Sequence, residues 1–113
     1  MHELSIMQAA MDLALRRAEE AKASRVHLIR LRVGQLSGVV PDALQFAFEA
    51  LSHGTLAEGA QLAIENVPAR FWCAACEREF PADDMVAECP DCHGLSADLR
   101  GGRELELALM EIE

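Results

Sequence analysis

Four cysteines in the second half of the chain have the residue type and the spacing of a metal site. Cys73 and Cys76 form one Cys-x2-Cys pair, and Cys89 and Cys92 form a second pair after twelve intervening residues. Each pair can form a tight turn that directs two thiolates at one point, and four thiolates at about 2.3 Å complete the tetrahedral coordination of Zn(II). No position is then left for a reacting water molecule. The spacing therefore predicts a closed, structural zinc site.

Two other chemistries are compatible with these cysteines. Redox Cys-x2-Cys motifs usually begin a helix in a βαβ unit, and the residues after Cys76, Glu77-Arg78-Glu79-Phe80-Pro81, do not resemble one. Iron bound by four cysteines also uses this spacing, and a coloured, iron-rich protein would indicate it. His93 could replace a thiolate, although four sulfurs already fill the shell. We favour zinc, because metal ligation is the usual role of such cysteines in a reducing compartment.

The amino terminus carries a second group of potential ligands, Met1, His2 and Glu3. The bulky His2 is expected to prevent removal of Met1, so that a free amine stands beside an imidazole. The amine, deprotonated backbone amides and the imidazole can form fused chelate rings, and square-planar nitrogen ligation favours Ni(II) or Cu(II). Glu3 could add a carboxylate or orient the imidazole. On chemistry alone, a solvated terminal histidine remains the simpler interpretation.

The composition excludes several classes of function. The 113 residues carry a formal charge of −9, which repels nucleic acid and anionic lipid. No stretch is long and apolar enough for a membrane span, and the start lacks the basic leader of a signal peptide, so we expect a cytoplasmic protein. No catalytic motif is present, and the loop 34–38 lacks the lysine of a nucleotide site. We expect a binding protein and not an enzyme.

Hydrophobic periodicity predicts two helices and three principal strands. Apolar residues at three- and four-residue spacing predict a first helix, and Pro41 suits the first position of a second. The predicted elements are a helix over 4–22, a strand over 29–33, a loop over 34–38, a helix over 41–53, and strands near 62–67 and 105–109. The predicted fold class is α+β, with two helices packed on a small, mostly antiparallel sheet and an inserted four-cysteine module like a zinc ribbon.

Several motifs together resemble the HypA/HybF family of hydrogenase nickel-incorporation proteins. They are Met1-His2-Glu3-Leu4-Ser5, the segment from Val33 to Val39 running into Pro41, the stretch from Phe46 to Glu49, and the two cysteine pairs. They occur in the right order over essentially the whole chain. The resemblance implies a nickel metallochaperone that binds Ni(II) transiently at Met1, His2 and Glu3. It matches Cys73, Cys76, Cys89 and Cys92 to the family's structural Zn(II) ligands.

The cysteines lie between predicted strands, so residues 1–67 plus 104–113 are expected to form an α/β domain and residues 68–103 a zinc-binding module. The resemblance assigns nickel binding to the α/β domain and also implies partners. The partners would be a HypB-like maturation GTPase and the large subunit of NiFe hydrogenase, which receives the nickel. Some members also serve urease maturation, and a homodimer is compatible with the sequence.

Two alternatives follow from the cysteines alone. A zinc ribbon can bind nucleic acid or act as a protein adaptor. Residues 71–103 hold seven acidic side chains against Arg78, Arg100 and Arg103, which is the wrong sign for a phosphate backbone.

Overall fold

The α+β fold predicted from the sequence is confirmed. The computed structural model describes residues 2–83 and 85–113, and for His2 it describes the backbone only. The helices are α1 His2–Glu20 and α2 Pro41–Ser52. The strands are β1 Val26–Gly34, β2 Gln61–Val67, β3 Arg70–Cys73, β4 Arg78–Pro81, β5 Ala87–Glu88, β6 Leu95–Ser96, β7 Leu99–Gly101 and β8 Leu105–Ile112.

The long strands form one mixed sheet in the order β2-β1-β8. Backbone bonds Ser24 N to Glu113 O and Gly34 N to Glu104 O join opposite ends of β1 and β8, so these two strands are antiparallel. Bonds Val26 N to Leu56 O and Gln35 N to Val67 O show that β2 runs parallel to β1. A parallel pair needs a crossover connection, and α2 provides it.

An aliphatic core joins the two helices to this sheet. Met7, Met11, Ala14 and Ala18 of α1 are at most 1% exposed, as their helical spacing predicts. The core also contains Leu44, Ala47 and Phe48 of α2 and Ile29 and Leu31 of β1. The two methionines are therefore packing residues, and their thioethers are not presented to a soluble metal.

The chain divides into two compact units. The first comprises Met1–Arg32, Val39–Glu65 and Glu106–Glu113, and the second comprises Val33–Gly38 and Asn66–Leu105. Hydrogen bonds connect the segment Val33–Gly38 to the other residues of the second unit. Leu36 N donates to Gly102 O at 2.6 Å, and the Gln35 amide accepts from Ala69 N and donates to Asp83.

Two glycines allow the backbone of this segment to lie in direct contact with the backbone near Gly102. A Cβ on Gly34 would lie 2.2 Å from the carbonyl carbon of Gly102. Gly102 has φ +118°, and a Cβ there would lie 2.6 Å from the Cα of Ala69. Neither position can hold a larger residue without moving backbone.

Candidate metal centre

Two hairpins present the four cysteines. In the first, β3 pairs antiparallel with β4, with Phe71 opposite Phe80; Cys73 is the last residue of β3, and Cys76 lies in the turn that follows. In the second, β5 pairs with β6, and the turn holds Cys89 and Cys92. β4 and β5, which flank the residues between the two cysteine pairs, belong to different sheets. Each cysteine pair thus belongs to a hairpin of its own.

The two turns share one backbone conformation. Glu77 and His93, each directly after the second cysteine of its pair, have φ of 53° and 62°. This left-handed conformation is unfavourable for L-residues and persists only where surrounding contacts hold it. In the second turn His93 N donates to Cys89 O, and Cys89 N donates to Gly94 O. The two turns thus share a left-handed residue at the same position relative to their cysteines.

The four sulfur atoms form one compact cluster. The Sγ atoms of Cys73 and Cys92 are 3.5 Å apart, those of Cys76 and Cys89 are 3.9 Å apart, and all four lie within 4.8 Å of one another. Four sulfurs at about 2.3 Å from a tetrahedral metal lie about 3.8 Å apart. The sequence-predicted ligands are therefore brought together in an arrangement that fits one ion. Among the residues that the structure describes, they are the one group of three or more potential ligands.

Part of this cluster belongs to the core of the module. Cys73 and Cys89 are 6% and 1% exposed and pack with Ala69, Phe71 and Phe80. The Phe71 and Phe80 rings stack with centroids 6.1 Å apart. Cys92, in contrast, is exposed. A bound ion would hold together a core too small to be stable by apolar packing alone.

Hydrogen bonds within the cluster shift the pKa values of Cys76, Cys89 and Cys92 in different directions. Hydrogen bonds with Cys92 and Cys73, together with burial, raise the pKa of Cys76 to about 12. The backbone N–H of Cys92 stabilises the Cys89 thiolate and lowers the pKa of Cys89. The Gly94 N–H stabilises the Cys92 thiolate and by itself lowers the pKa of Cys92. The hydrogen bonds of Cys92 with Cys73 and Cys89, together with burial, have a larger opposite effect, so the pKa of Cys92 is raised. A metal must therefore displace protons to bind.

Next to the cluster, His93 and Trp72 have partners within the module. His93 Nδ1 lies 2.9 Å from Glu88 Oε2, and no cysteine is replaced. Arg100 lies over the Trp72 ring, 4.8 Å from its centroid, and is held there by two 2.9 Å bonds to Asp98. Sequence analysis assigned no role to Trp72, since its cationic partner is 28 positions away and no local pattern links them.

At the opposite end of the chain, the structure tests less of the prediction. Met1 and the side chain of His2 lie outside the described residues, so their assignment as nickel ligands stays a prediction. Glu3 lies in the first turn of α1, and its Oε2 accepts a 3.1 Å hydrogen bond from Val40 N, directly before α2. Sequence reasoning did not identify this contact, which joins residues 37 positions apart.

The remaining histidines pair with carboxylates. His27 Nε2 lies 2.5 Å from Glu113 Oε1, and His53 Nδ1 lies 2.9 Å from Glu58 Oε2. In the described part of the chain, no helix has the length and apolarity needed to span a membrane.

Comparison with known proteins gives full-length matches. The chain is 46% identical over 112 residues to a hydrogenase maturation factor HypA from Picosynechococcus sp., covering 99% of both chains. It is 40% identical to HypA from Methylocella silvestris and 39% identical to HypA from Dechloromonas aromatica, each over 113 residues and the whole of both chains.

The fold is shared with solved structures of lower identity. The solution structure of the nickel metallochaperone HypA from Helicobacter pylori has a TM-score of 0.67 at 22% identity, covering 99% of this chain and 97% of that one. A second HypA solution structure has a TM-score of 0.73, also at 22% identity, and covers 100% and 97%. The family model described as hydrogenase/urease nickel incorporation metallochaperone HypA matches residues 1–112. The chain therefore belongs to the HypA family of nickel-incorporation metallochaperones, as the sequence motifs indicated.

Proposed function

We propose that this chain binds Ni(II) at its amino terminus and delivers it to the large subunit of NiFe hydrogenase. The observation that carries the proposal is the family match over residues 1–112, which includes the Met1-His2-Glu3 start. The ligands would be the Met1 amine, the His2 imidazole and backbone nitrogen near Glu3. Nickel is the cargo, so the site must be able to release it.

The position of this sequence at the start of α1 supports the proposal. The first N–H groups of an α-helix have no acceptor within the helix, so the amides of His2 and Glu3 can be deprotonated without breaking helical hydrogen bonds. The positive end of the helix dipole also favours the deprotonated, anionic form of these amides. The Glu3 carboxylate is bound to Val40 N. We therefore assign Glu3 a positioning role through this bond.

The cysteine cluster is proposed to hold Zn(II) permanently. The four sulfurs supply a complete soft donor set with tetrahedral spacing, which suits zinc. Bound zinc would add its binding free energy to the stability of the module. The proposed structural site thus consists of Cys73, Cys76, Cys89 and Cys92. The proposed site for nickel transfer consists of Met1, His2 and Glu3.

The partners follow from this role. We propose a cytoplasmic chain, itself without catalytic activity, that works with a nickel-handling GTPase and with the hydrogenase large subunit. GTP hydrolysis would belong to the GTPase. Service to urease maturation is a further proposal that the same resemblance supports, and a homodimeric state is a separate one.

A nickel titration tests the terminal site directly. Protein with a native amino terminus is compared with His2→Ala and with a form that carries extra residues before Met1, all zinc-loaded. We expect one tight Ni(II) per native chain and at least about a hundredfold weaker binding by the other two, because each loses a chelate ring. Zinc content and helical circular dichroism serve as controls and should be unchanged. Equal nickel binding by all three forms would contradict the proposal.

A further inference from the structure

A cleft of about 310 Å³ lies beside the cysteine cluster. One wall is formed by the end of β3 and the turn after it, and the other by residues 94–98. Two of the four cysteines, Cys73 and Cys92, are among its lining residues. One side of the sulfur cluster therefore faces this cleft.

The four sulfurs differ in how far a molecule in solution can reach them. Cys73 and Cys89 are buried, and Cys76 packs against the core of the module. Cys92 is exposed and lines the cleft. A molecule that enters the cleft therefore meets Cys92 before any other sulfur of the cluster.

Backbone hydrogen bonds hold the two walls of the cleft in place. Ser96 Oγ donates to Trp72 O at 2.6 Å, and Trp72 N donates to Asp98 O at 2.9 Å. Arg100 covers the Trp72 ring and is itself held by Asp98. The cleft is thus formed before any ligand enters, as is usual for small-molecule sites.

The lining residues select the chemical class of a ligand. The space is left open by small residues, Ala74, Ala75, Gly94 and Ala97. None of the lining residues that the structure describes is basic, and the Asp98 carboxylate already has two 2.9 Å bonds to Arg100. The cleft therefore favours a small, uncharged, aliphatic molecule. A donor atom that competes with thiolates for a soft site must itself be soft, which points to a thiol.

We propose that this cleft admits a small, uncharged thiol that exchanges the zinc ion of the module, with Cys92 as the first ligand to be displaced. A bond forms between zinc and the entering sulfur, the bond between zinc and Cys92 breaks, and the proton of the thiol passes to the Cys92 sulfur. Gly94 N lies 3.4 Å from Cys92 Sγ and donates to it, which keeps the released sulfur at the cluster. The reverse of these steps loads the site. This inference rests on the proposed structural zinc site and does not depend on nickel binding.

The test follows zinc release from the full-length chain. Zinc content is measured first, and we expect one ion per chain. Release is then recorded with a colorimetric zinc dye at rising concentrations of 2-mercaptoethanol. The rate should rise in proportion to the thiol concentration, because the thiol takes part in the step that breaks the first zinc–sulfur bond.

Two variants change the cleft in opposite directions. Ala97→Leu fills it and should lower the thiol-dependent rate by about tenfold, as expected for crowding at the point of entry. Leu95→Ala removes a lining side chain that is 75% exposed and should raise the rate by about two- to threefold. Ala50→Leu is the matched control, because Ala50 is an exposed alanine of α2, and its rate should equal that of the unaltered chain.

Equilibrium zinc affinity separates access from stability. Chelator competition should give values within about twofold of the unaltered chain for all three variants, since none of them removes a ligand. A release rate independent of thiol concentration, or unchanged rates in both cleft variants, would overturn the proposal, because zinc would then leave by opening of the module. Affinity changes as large as the rate changes would overturn it too. A chain that holds no zinc would refute the structural zinc site itself, a failure distinct from unchanged rates in zinc-loaded protein.

Discussion

The cysteine module and the start of α1 hold their metal-binding groups in opposite ways. The module takes four sulfurs from two hairpin turns 12 residues apart in sequence and places two of them in its core. The proposed nickel ligands are three consecutive residues at the end of the chain. Ligands from separate segments can meet only in the folded state, so metal binding and folding are coupled. Consecutive ligands need no fold, so release costs little structure. The difference suits a permanent ion in one place and a transferable ion in the other.

Removing one buried sulfur should break the module and spare the rest. Cys89→Ala deletes a ligand that is 1% exposed, and we expect zinc affinity to fall by at least about a hundredfold because one of four ligands is lost. NMR amide signals of Arg70–Gly101 should collapse, while those of α1 and α2 persist. His93→Ala is the control and should retain zinc, since its ring bonds Glu88. Full zinc retention by Cys89→Ala would contradict a four-thiolate site.

Lowering the pH should release nickel before it releases zinc. Protons compete with nickel at the amine and at His2, so nickel affinity should decrease as the pH falls from 8, by about tenfold per pH unit for each proton displaced, and most steeply below about pH 6.5, where His2 is also protonated. The pKa of Cys76 is raised to about 12, so it is a thiol at neutral pH in the metal-free module, and zinc affinity must also decrease as pH falls. The closed shell should nevertheless retain zinc where nickel is already lost. Chelator competition from pH 8 to 5 measures both. Flat nickel affinity would count against His2.

Glu3 offers a sharper test of the terminal site. If its carboxylate acts by accepting the bond from Val40 N, Glu3→Gln should keep nearly full nickel affinity, because the amide oxygen can still accept. Glu3→Ala loses the acceptor and should weaken nickel binding by about three- to tenfold. Isothermal titration of the two variants distinguishes the roles. Equal, large losses in both would instead make the Glu3 carboxylate a nickel ligand.

The smallest effect is expected at Arg100. Arg100→Ala removes the cation over Trp72 and the guanidinium that lowers the pKa of Asp98, and should lower the module's melting temperature by about 2–4 °C. Arg100→Lys keeps the charge but loses the two-bond contact with Asp98. Its melting temperature should lie between those of the unaltered protein and Arg100→Ala. Thermal unfolding followed by Trp72 fluorescence reports it. Nickel binding should not change in either variant.

Much of the fold could be predicted because its signals are local. Met7, Met11 and Ala14 have helical spacing and are buried, and Pro41 begins α2 as predicted. Cys-x2-Cys spacing predicted four sulfurs around one point. The parallel pairing of β1 with β2 was not predicted, since strand direction depends on the path of α2 and not on any residue of either strand.

The sequence by itself determined the chemistry available to this protein: four thiols in two pairs, a histidine at position 2, and an acidic composition that disfavours nucleic acid. Only the tertiary structure decided where the pieces meet. It joined Val33–Gly38 to the module through Gly34 and Gly102 and tied Glu3 to Val40. Residue type and short spacing are fixed along the chain, whereas contacts over 30 or more positions depend on how all the elements pack at once.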